Sequence, residues 1–323
     1  MGKALVIGST GLLGGAVLRC LSRSFPLVAL RHRNTPADGA ADVRDGDLLD
    51  PRSLRCCLDG VGTILFFPSF STPLHSPLDP RHEMDTTVAA LTNLLEAAAA
   101  IGAHPHVVFA STAGAMYGER ADACGEETAP GPVSSYGLGK LISENVLEFY
   151  SRVGRTSHTI LRFSNLYGSP GRRMVKQGAI DVYLDDALAG DVSTVWTSPA
   201  STRDYLHADD AARAIEAVLR APDAARNVTF NVSSGVTTSM ADVLATVARV
   251  TEGRHRYRME NAASGGPTHT RIDPSRFRAA FGGWPAPIRL EEGIALAWRR
   301  KLAHREDAPL SPWIDGTPAR IPA

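Results

Sequence analysis

The chain has 323 residues, and its 34 lysines and arginines cancel its 34 aspartates and glutamates, so no basic excess exists to displace counterions from phosphates and no nucleic-acid partner is expected. Hydrophobic residues at 44% and charged residues at 21% give a globular balance, enough for one large domain or two modest ones. No apolar run reaches the roughly 18–20 residues that cross a bilayer, and the N terminus enters a strand too early for a signal peptide. The four cysteines, Cys20, Cys56, Cys57 and Cys124, form no C-x-x-C. The adjacent pair is poorly placed to bridge itself, so a reduced, cytoplasmic setting without a metal or a membrane is expected.

In chain order, Ala4 to Ile7 reads as a strand, Leu12 to Leu21 as a helix, and Leu27 to Leu30 and Thr63 to Phe67 as further strands. A long helix is expected from about His82 to Ala100, where Met84, Val88, Leu91, Leu95 and Ala98 recur at helical spacing. His106 to Ala110 is a buried strand, Leu138 to Tyr150 an amphipathic helix, and Thr159 to Phe163 another strand. Strands alternating with helices imply right-handed crossovers and a parallel sheet, an α/β doubly wound architecture. The second half is less regular, with readable helices at Asp209–Leu219 and Met240–Thr251 and a polar, proline-rich tail from about Ala303. A composition shift near Gly168 divides the chain into a dinucleotide-type domain over 1–167 and a mainly substrate-binding domain over 168–323, some segments of which return to the sheet.

The first strand runs directly into Gly8-Ser9-Thr10-Gly11-Leu12-Leu13-Gly14, a G-x-x-G-x-x-G turn opening a helix. Gly8 allows the tight turn, Gly11 lets backbone approach a pyrophosphate, and Gly14 lets helix and strand pack closely. The helix N terminus then offers free N–H groups and a partial positive charge to phosphates. An NAD site usually ends its second strand on an acid that accepts from the ribose 2′-OH. Here Leu30-Arg31-His32-Arg33 ends it, and Arg31, joined by Arg33, suits a 2′-phosphate through a bidentate fork. The alternative is a solvated basic strand end. NADP(H) is therefore favoured, with NAD the other option. Further on, Asp47, with Leu48 beside it, is placed to accept from an adenine amino group or to serve as a polar turn residue.

Tyr136 and Lys140 form a Y-x-x-x-K pair within Ser134-Ser135-Tyr136-Gly137-Leu138-Gly139-Lys140, one helical turn apart on one face. A neighbouring ammonium favours phenolate, which should bring the tyrosine down from its ordinary value of about 10 toward neutrality. Such a phenol takes a proton from a sugar hydroxyl while hydride leaves its carbon, or returns one to a ketone. Lys140 is also placed to hold a nicotinamide ribose.

With these motifs in order, the chain from about Lys3 to about Trp298 resembles an extended short-chain dehydrogenase/reductase of the NAD-dependent epimerase/dehydratase family. The resemblance also rests on Ser111-Thr112…Tyr117-Gly118, on Leu161-Arg162-Phe163-Ser164-Asn165-Leu166-Tyr167-Gly168-Ser169-Pro170-Gly171 and on Arg203-Asp204-Tyr205-Leu206-His207-Ala208-Asp209-Asp210. Phe230-Asn231-Val232-Ser233-Ser234-Gly235 and Gly283-Trp284-Pro285 continue it. It implies a nucleotide-sugar substrate, Tyr136 as acid/base with Lys140 as helper, and Thr112 or Ser111 on the reacting sugar oxygen. It further implies Asn165 and Arg203 on the substrate diphosphate, Phe163 and Phe67 on the nicotinamide side, and a homodimer paired through the His82–Ala100 and Tyr136 helices.

The departures bear on the reaction. Ala113-Gly114 stand where the family's 4,6-dehydratases place Asp-Glu, so water elimination has no obvious catalyst. Phe66-Phe67-Pro68-Ser69-Phe70 is bulkier than the family's usual strand ending, and Thr87 replaces a common asparagine. Thr268-His269-Thr270-Arg271-Ile272-Asp273 occupies the neighbourhood of a missing Arg-x-Gly-Asp, with Arg271 a candidate phosphate contact. Because a net reductase needs a supply of reduced cofactor, Arg31 favours an NADPH-dependent 4-ketoreductase of a nucleotide-linked 4-keto-6-deoxyhexose. The alternative is a nucleotide-sugar 4-epimerase with retained NAD. A reductase of a hydrophobic ketone and a non-catalytic NADP-binding protein are the lesser readings.

Overall fold

The structure, a computed structural model, describes residues 2–32, 42–71, 78–120, 122–169, 178–260, 267–282, 284 and 287–307. The expected cofactor contact Arg33 and the Pro170-Gly171, Gly283 and Pro285 positions of the motifs lie outside these residues.

The first half runs β1 (Lys3–Ile7), α1 (Leu12–Leu21), β2 (Leu27–Arg31), β3 (Asp42–Asp45), α2 (Pro51–Leu54), β4 (Val61–Phe66) and α3 (Pro80–Glu83). After it come α4 (Ala89–Ala100), β5 (His106–Thr112), α5 (Ser135–Arg152) and β6 (Ser157–Phe163). The second half runs β7 (Asn165–Tyr167), α6 (Ala179–Ala189), β8 (Val192–Val195), β9 (Thr202–His207), α7 (Ala208–Arg220), α8 (Pro222–Ala225) and β10 (Val228–Val232). It closes with β11 (Thr237–Ser239), α9 (Met240–Val250), β12 (Arg256–Met259), α10 (Ser275–Ala280) and α11 (Leu290–Asp307).

Seven strands form one parallel sheet in the order β10-β6-β5-β4-β1-β2-β3. Alternation along each strand divides the core into two layers. Val6, Leu65, Val108 and Leu161 pack on α1 and α7, while Leu5, Ile7, Ile64, Val107 and Ile160 pack on α4 and α5. Both faces are covered, which is why these strands read as continuous apolar runs rather than alternating ones. The chain leaves β1 toward β2 on one side and returns to β4 on the other. The order of winding therefore reverses between β1 and β4, and a crevice opens at their carboxyl ends.

The second region has a three-stranded sheet, β11-β9-β7, and a two-stranded one, β12-β8. Its own core joins Ile180 and Leu184 of α6, Val243 and Val247 of α9, and Ile294, Ala297 and Trp298 of α11.

Two expectations need correction. The stretch expected as one helix from His82 is broken: α3 starts at Pro80, capped by Asp79, and a π turn over Met84–Val88 separates it from α4. The expected tail from Ala303 stays helical to Asp307, since Ile294, Ala297, Trp298 and Lys301 anchor α11 by burial. Among the described residues no helix is long and apolar enough to cross a membrane.

Candidate active site

The glycine turn lies at the carboxyl end of β1. Gly8 has φ +81°, a left-handed conformation that favours glycine. A methyl on Gly14 would lie 2.1 Å from the Gly8 carbonyl oxygen, so helix and turn meet there with no room for a side chain. Gly11 caps α1 in an extended conformation and contributes no side-chain hydrogen bond to the helix start. The first N–H groups of α1 are thereby left without a side-chain cap, an anion site formed by backbone alone. These features fit the pyrophosphate of a dinucleotide.

A cleft of about 540 Å³ runs from this turn along the ends of β4, β5 and β6 to the second region. It brings together Gly8, Thr10, Gly11, Leu12, Leu13 and Gly14, then Phe67, Ser111, Thr112, Tyr136, Lys140 and Phe163, and at its far end Asn165 and Arg203. Phe66, expected as part of an aromatic rim, is instead fully buried and stacks on Phe109 with ring centroids 5.9 Å apart. Phe67 and Phe70 are the two that reach the cleft.

Helix α5 delivers the tyrosine and lysine. Ser134 caps it, its side chain accepting from the Gly137 N–H at 3.2 Å, and the Y-x-x-x-K pair follows in the first two turns. Tyr136 and Thr112 line the cleft side by side, near enough for the threonine to act on the phenol. Lys140 is buried and donates two N–H bonds, to the Ala110 carbonyl at 2.9 Å and the Pro68 carbonyl at 3.1 Å. Its ammonium lies 4.9 Å from the Phe109 ring centroid and 6.0 Å from that of Tyr136.

The expectation that the ammonium lowers the phenol is not met. Burial pushes Tyr136 up to about 12, with the Thr112 side chain opposing it and the Glu83 charge adding to it. Burial also brings Lys140 down to about 8, against the pull of Glu83 and Glu144. Desolvation dominates both groups.

The two adjacent hydroxyls of β5 have different partners. Thr112 lies beside Tyr136 and accepts from the Ala115 N–H at 3.2 Å. Ser111 donates to Glu144 Oε1 at 2.5 Å. Glu144 is in turn held by Arg162, Nη2 to Oε2 at 2.6 Å, and Arg162 donates to the Tyr117 hydroxyl at 3.0 Å. Ser111 and Tyr117 thus belong to a buried network joining β5, α5 and β6.

At the far end, the Asn165 side-chain amide donates to the Asp204 carbonyl at 2.9 Å. Arg203 donates to the carbonyls of Thr202 at 2.9 Å and Thr268 at 2.7 Å, rather than pairing with Asp204 or Asp209. Arg271 does not join them. It lines a separate, open depression with Arg120, Thr237 and His269.

Arg31, Asp47 and Leu48 lie at or just beyond the ends of β2 and β3, outside the lining of the main cleft. Arg31 makes a bidentate pair with Asp45, Nε to Oδ1 at 2.6 Å and Nη2 to Oδ2 at 2.8 Å. Both side chains are exposed, and each holds the other in its charged form. Asp47 accepts from its own turn, at the Leu49 N–H, and its second oxygen lies 3.3 Å from His32 Nε2. The Leu48 carbonyl accepts from Asn93 at 3.0 Å.

Sequence reasoning missed the groups around this frame. Ile180, Thr197 and Met240 line the far end of the cleft from three separate places in the second half and carry no motif, while Tyr205, which joins them, lies in the Arg203–Asp210 motif with no role assigned to it. Glu83 was missed as well, because a glutamate beside His82 reads as solvated helix surface.

Comparison with known proteins supports the same placement. The family described as "NAD dependent epimerase/dehydratase family" matches residues 4–233. A putative UDP-glucose 4-epimerase of Methanocaldococcus jannaschii is 25% identical over 301 residues, covering 90% of this chain and 95% of that protein. The dTDP-4-dehydro-6-deoxyglucose reductase of Escherichia coli is 28% identical over 197 residues, covering 58% of each. Among solved structures, MoeE5 in complex with UDP-glucose and NAD superposes with a TM-score of 0.81 at 25% identity, over 95% of this chain and all of that one. The match of the family over most of the chain, on a cleft that holds its glycine turn and its tyrosine and lysine together, shows that this chain is an enzyme of the NAD-dependent epimerase/dehydratase family.

Proposed function

We propose that the enzyme is a 4-epimerase of a nucleoside-diphosphate hexose that keeps its NAD bound between turnovers. The observation that carries this reading is the cleft that the uncapped start of α1, Thr112, Tyr136, Lys140 and Arg203 all line. A bound nicotinamide dinucleotide would supply the hydride acceptor and donor at C4 of the sugar.

The residues divide the remaining work. Tyr136 acts as base in its phenolate form, taking the C4 hydroxyl proton and returning it, and Thr112 steadies the sugar oxygen. Lys140, anchored by two carbonyls, directs its remaining N–H toward the cofactor ribose. Arg203 and Asn165 hold the substrate diphosphate, which stays fixed while the sugar turns to present its other face. Ser111, tied to Glu144, supports β5 from behind.

Two observations favour epimerase over net reductase. The similarity to the 4-epimerase of Methanocaldococcus jannaschii spans nine-tenths of the chain, against little more than half for the reductase. The Arg31 guanidinium, the expected 2′-phosphate contact, is already engaged by Asp45. A reductase is the second reading, supported by that same arginine at the end of β2, since a surface pair is weak enough to open for a phosphate. Exposed Met84, Phe149 and Val153 near and on α5 support a homodimer, which sedimentation at micromolar concentration would test.

The deciding experiment denatures the purified protein, identifies any released nucleotide by mass, and incubates the intact protein with UDP- and dTDP-hexoses without added reductant. One NAD per chain and appearance of the C4 epimer are expected. An empty site that prefers NADPH and consumes it with a 4-keto sugar would overturn the epimerase in favour of the reductase.

A further inference from the structure

Glu83 is the last residue of α3, with its side chain buried to 1% exposure. Its Oε2 accepts from the Thr87 hydroxyl at 3.0 Å and its Oε1 from the Ser71 hydroxyl. The π turn over Met84–Val88 begins immediately after it, a widened turn of the kind found at functional sites.

Opposite Glu83 stands Gly139 of α5. A methyl there would lie 2.8 Å from Glu83 Oε2 and 2.9 Å from Glu83 Cβ, so the missing side chain is what admits the glutamate. Gly139 comes three residues after Tyr136, on its side of the helix, and directly before Lys140 in the chain. The carboxylate is therefore set against α5 at the turn that carries both groups of the cleft.

A buried ammonium facing only carbonyl oxygens is unfavourable without a counter-charge. The groups around Lys140 are few. Tyr136 and Glu144 share its helix, Phe109 and the Ala110 carbonyl come from β5, the Pro68 carbonyl follows β4, and Glu83 comes from α3. Glu144 is held by the Arg162 guanidinium at 2.6 Å, which compensates its charge. Among the described residues, Glu83 is the carboxylate whose charge acts most strongly on Lys140, ahead of Glu144.

We propose that Glu83 is a positioning residue, the buried counter-charge that keeps Lys140 an ammonium and seats the Tyr136–Lys140 face of α5 against α3. It rests on the reading of Tyr136 and Lys140 as the reacting pair. No motif in the sequence marks it, since the pattern requires a glycine on one helix and an acid on another.

The test needs neither substrate nor cofactor. Lysine labelled with carbon-13 at Cε is followed by NMR across pH in the full-length protein, the Lys140 resonance being identified by its absence in Lys140→Met. In wild type the transition is expected at about 8. In Glu83→Gln, which keeps size but removes charge, it is expected to fall by about half a pH unit or more, because the ammonium loses its partner. Gly139→Ala is the second variant. Alanine suits a helix better than glycine, so α5 is retained while the new methyl displaces the carboxylate, and the same downward direction is expected.

A titration superposing on wild type in either variant that folds overturns the proposal. A purely structural role for Glu83 would lower stability without moving this transition. Turnover by Lys140→Met at the wild-type rate would instead defeat the reading of the reacting pair, whichever way the NMR titration falls.

Discussion

The reacting corner and the rim at the ends of β2 and β3 are built in opposite ways. At the corner, Lys140 is buried, fixed by two carbonyls, and set beside a helix that approaches within contact distance of a glycine. At the rim, Arg31 and Asp45 face each other across adjacent parallel strands with both side chains in solvent. Buried charges are expensive to move, whereas exposed pairs are screened and contribute little. On the reading proposed above, the groups assigned to the reaction are locked into the packing of the sheet, while those assigned to the choice of cofactor are ones that a single substitution rearranges.

That contrast is sharpened first at its strongest point. Tyr136→Phe keeps the ring and removes only the hydroxyl, so kcat is expected to fall about 10²- to 10⁴-fold while the amount of nucleotide released on denaturation stays at the wild-type level. Loss of bound nucleotide together with activity would mean that the tyrosine is chiefly structural. Next comes Arg203→Ala at the far end of the cleft. Removing a charged donor there should raise KM for the nucleotide sugar about 10- to 100-fold with a smaller change in kcat, measured by initial rates. An unchanged KM would move the diphosphate site elsewhere. The smallest effect is expected at the rim. Asp45→Asn releases Arg31 from its ion pair, and calorimetry should show the ratio of NADP to NAD affinity rising by a few-fold. A large change would show that the rim governs cofactor choice more strictly than its exposure suggests.

The parts of this molecule that were legible in the sequence are those set by local constraints. The glycine turn must be glycine because of approaches within a dozen residues of chain, and the Y-x-x-x-K spacing is a property of one helix. The alternation of strand and helix likewise announced a parallel sheet. What was hidden depends on register between distant segments. Arg31 meets Asp45 because β2 and β3 pair in one register, and Ser111 rather than Thr112 meets Glu144 because β5 turns alternate side chains to opposite faces. The expected fall of Tyr136 toward neutrality is not met, since spacing shows that an ammonium is near but not how dry the surroundings are.

The place of β10 has a consequence for how the protein is made. Residues 228–232 supply the seventh strand, paired with residues 159–163 of β6. Until they emerge from the ribosome, β6 is an edge with its backbone groups unpaired, although the glycine turn and the tyrosine helix have long been synthesised. A fragment that stops near residue 167 would carry every residue of the reacting corner and still present an open apolar edge. Its fate should be association with other chains rather than a small working enzyme.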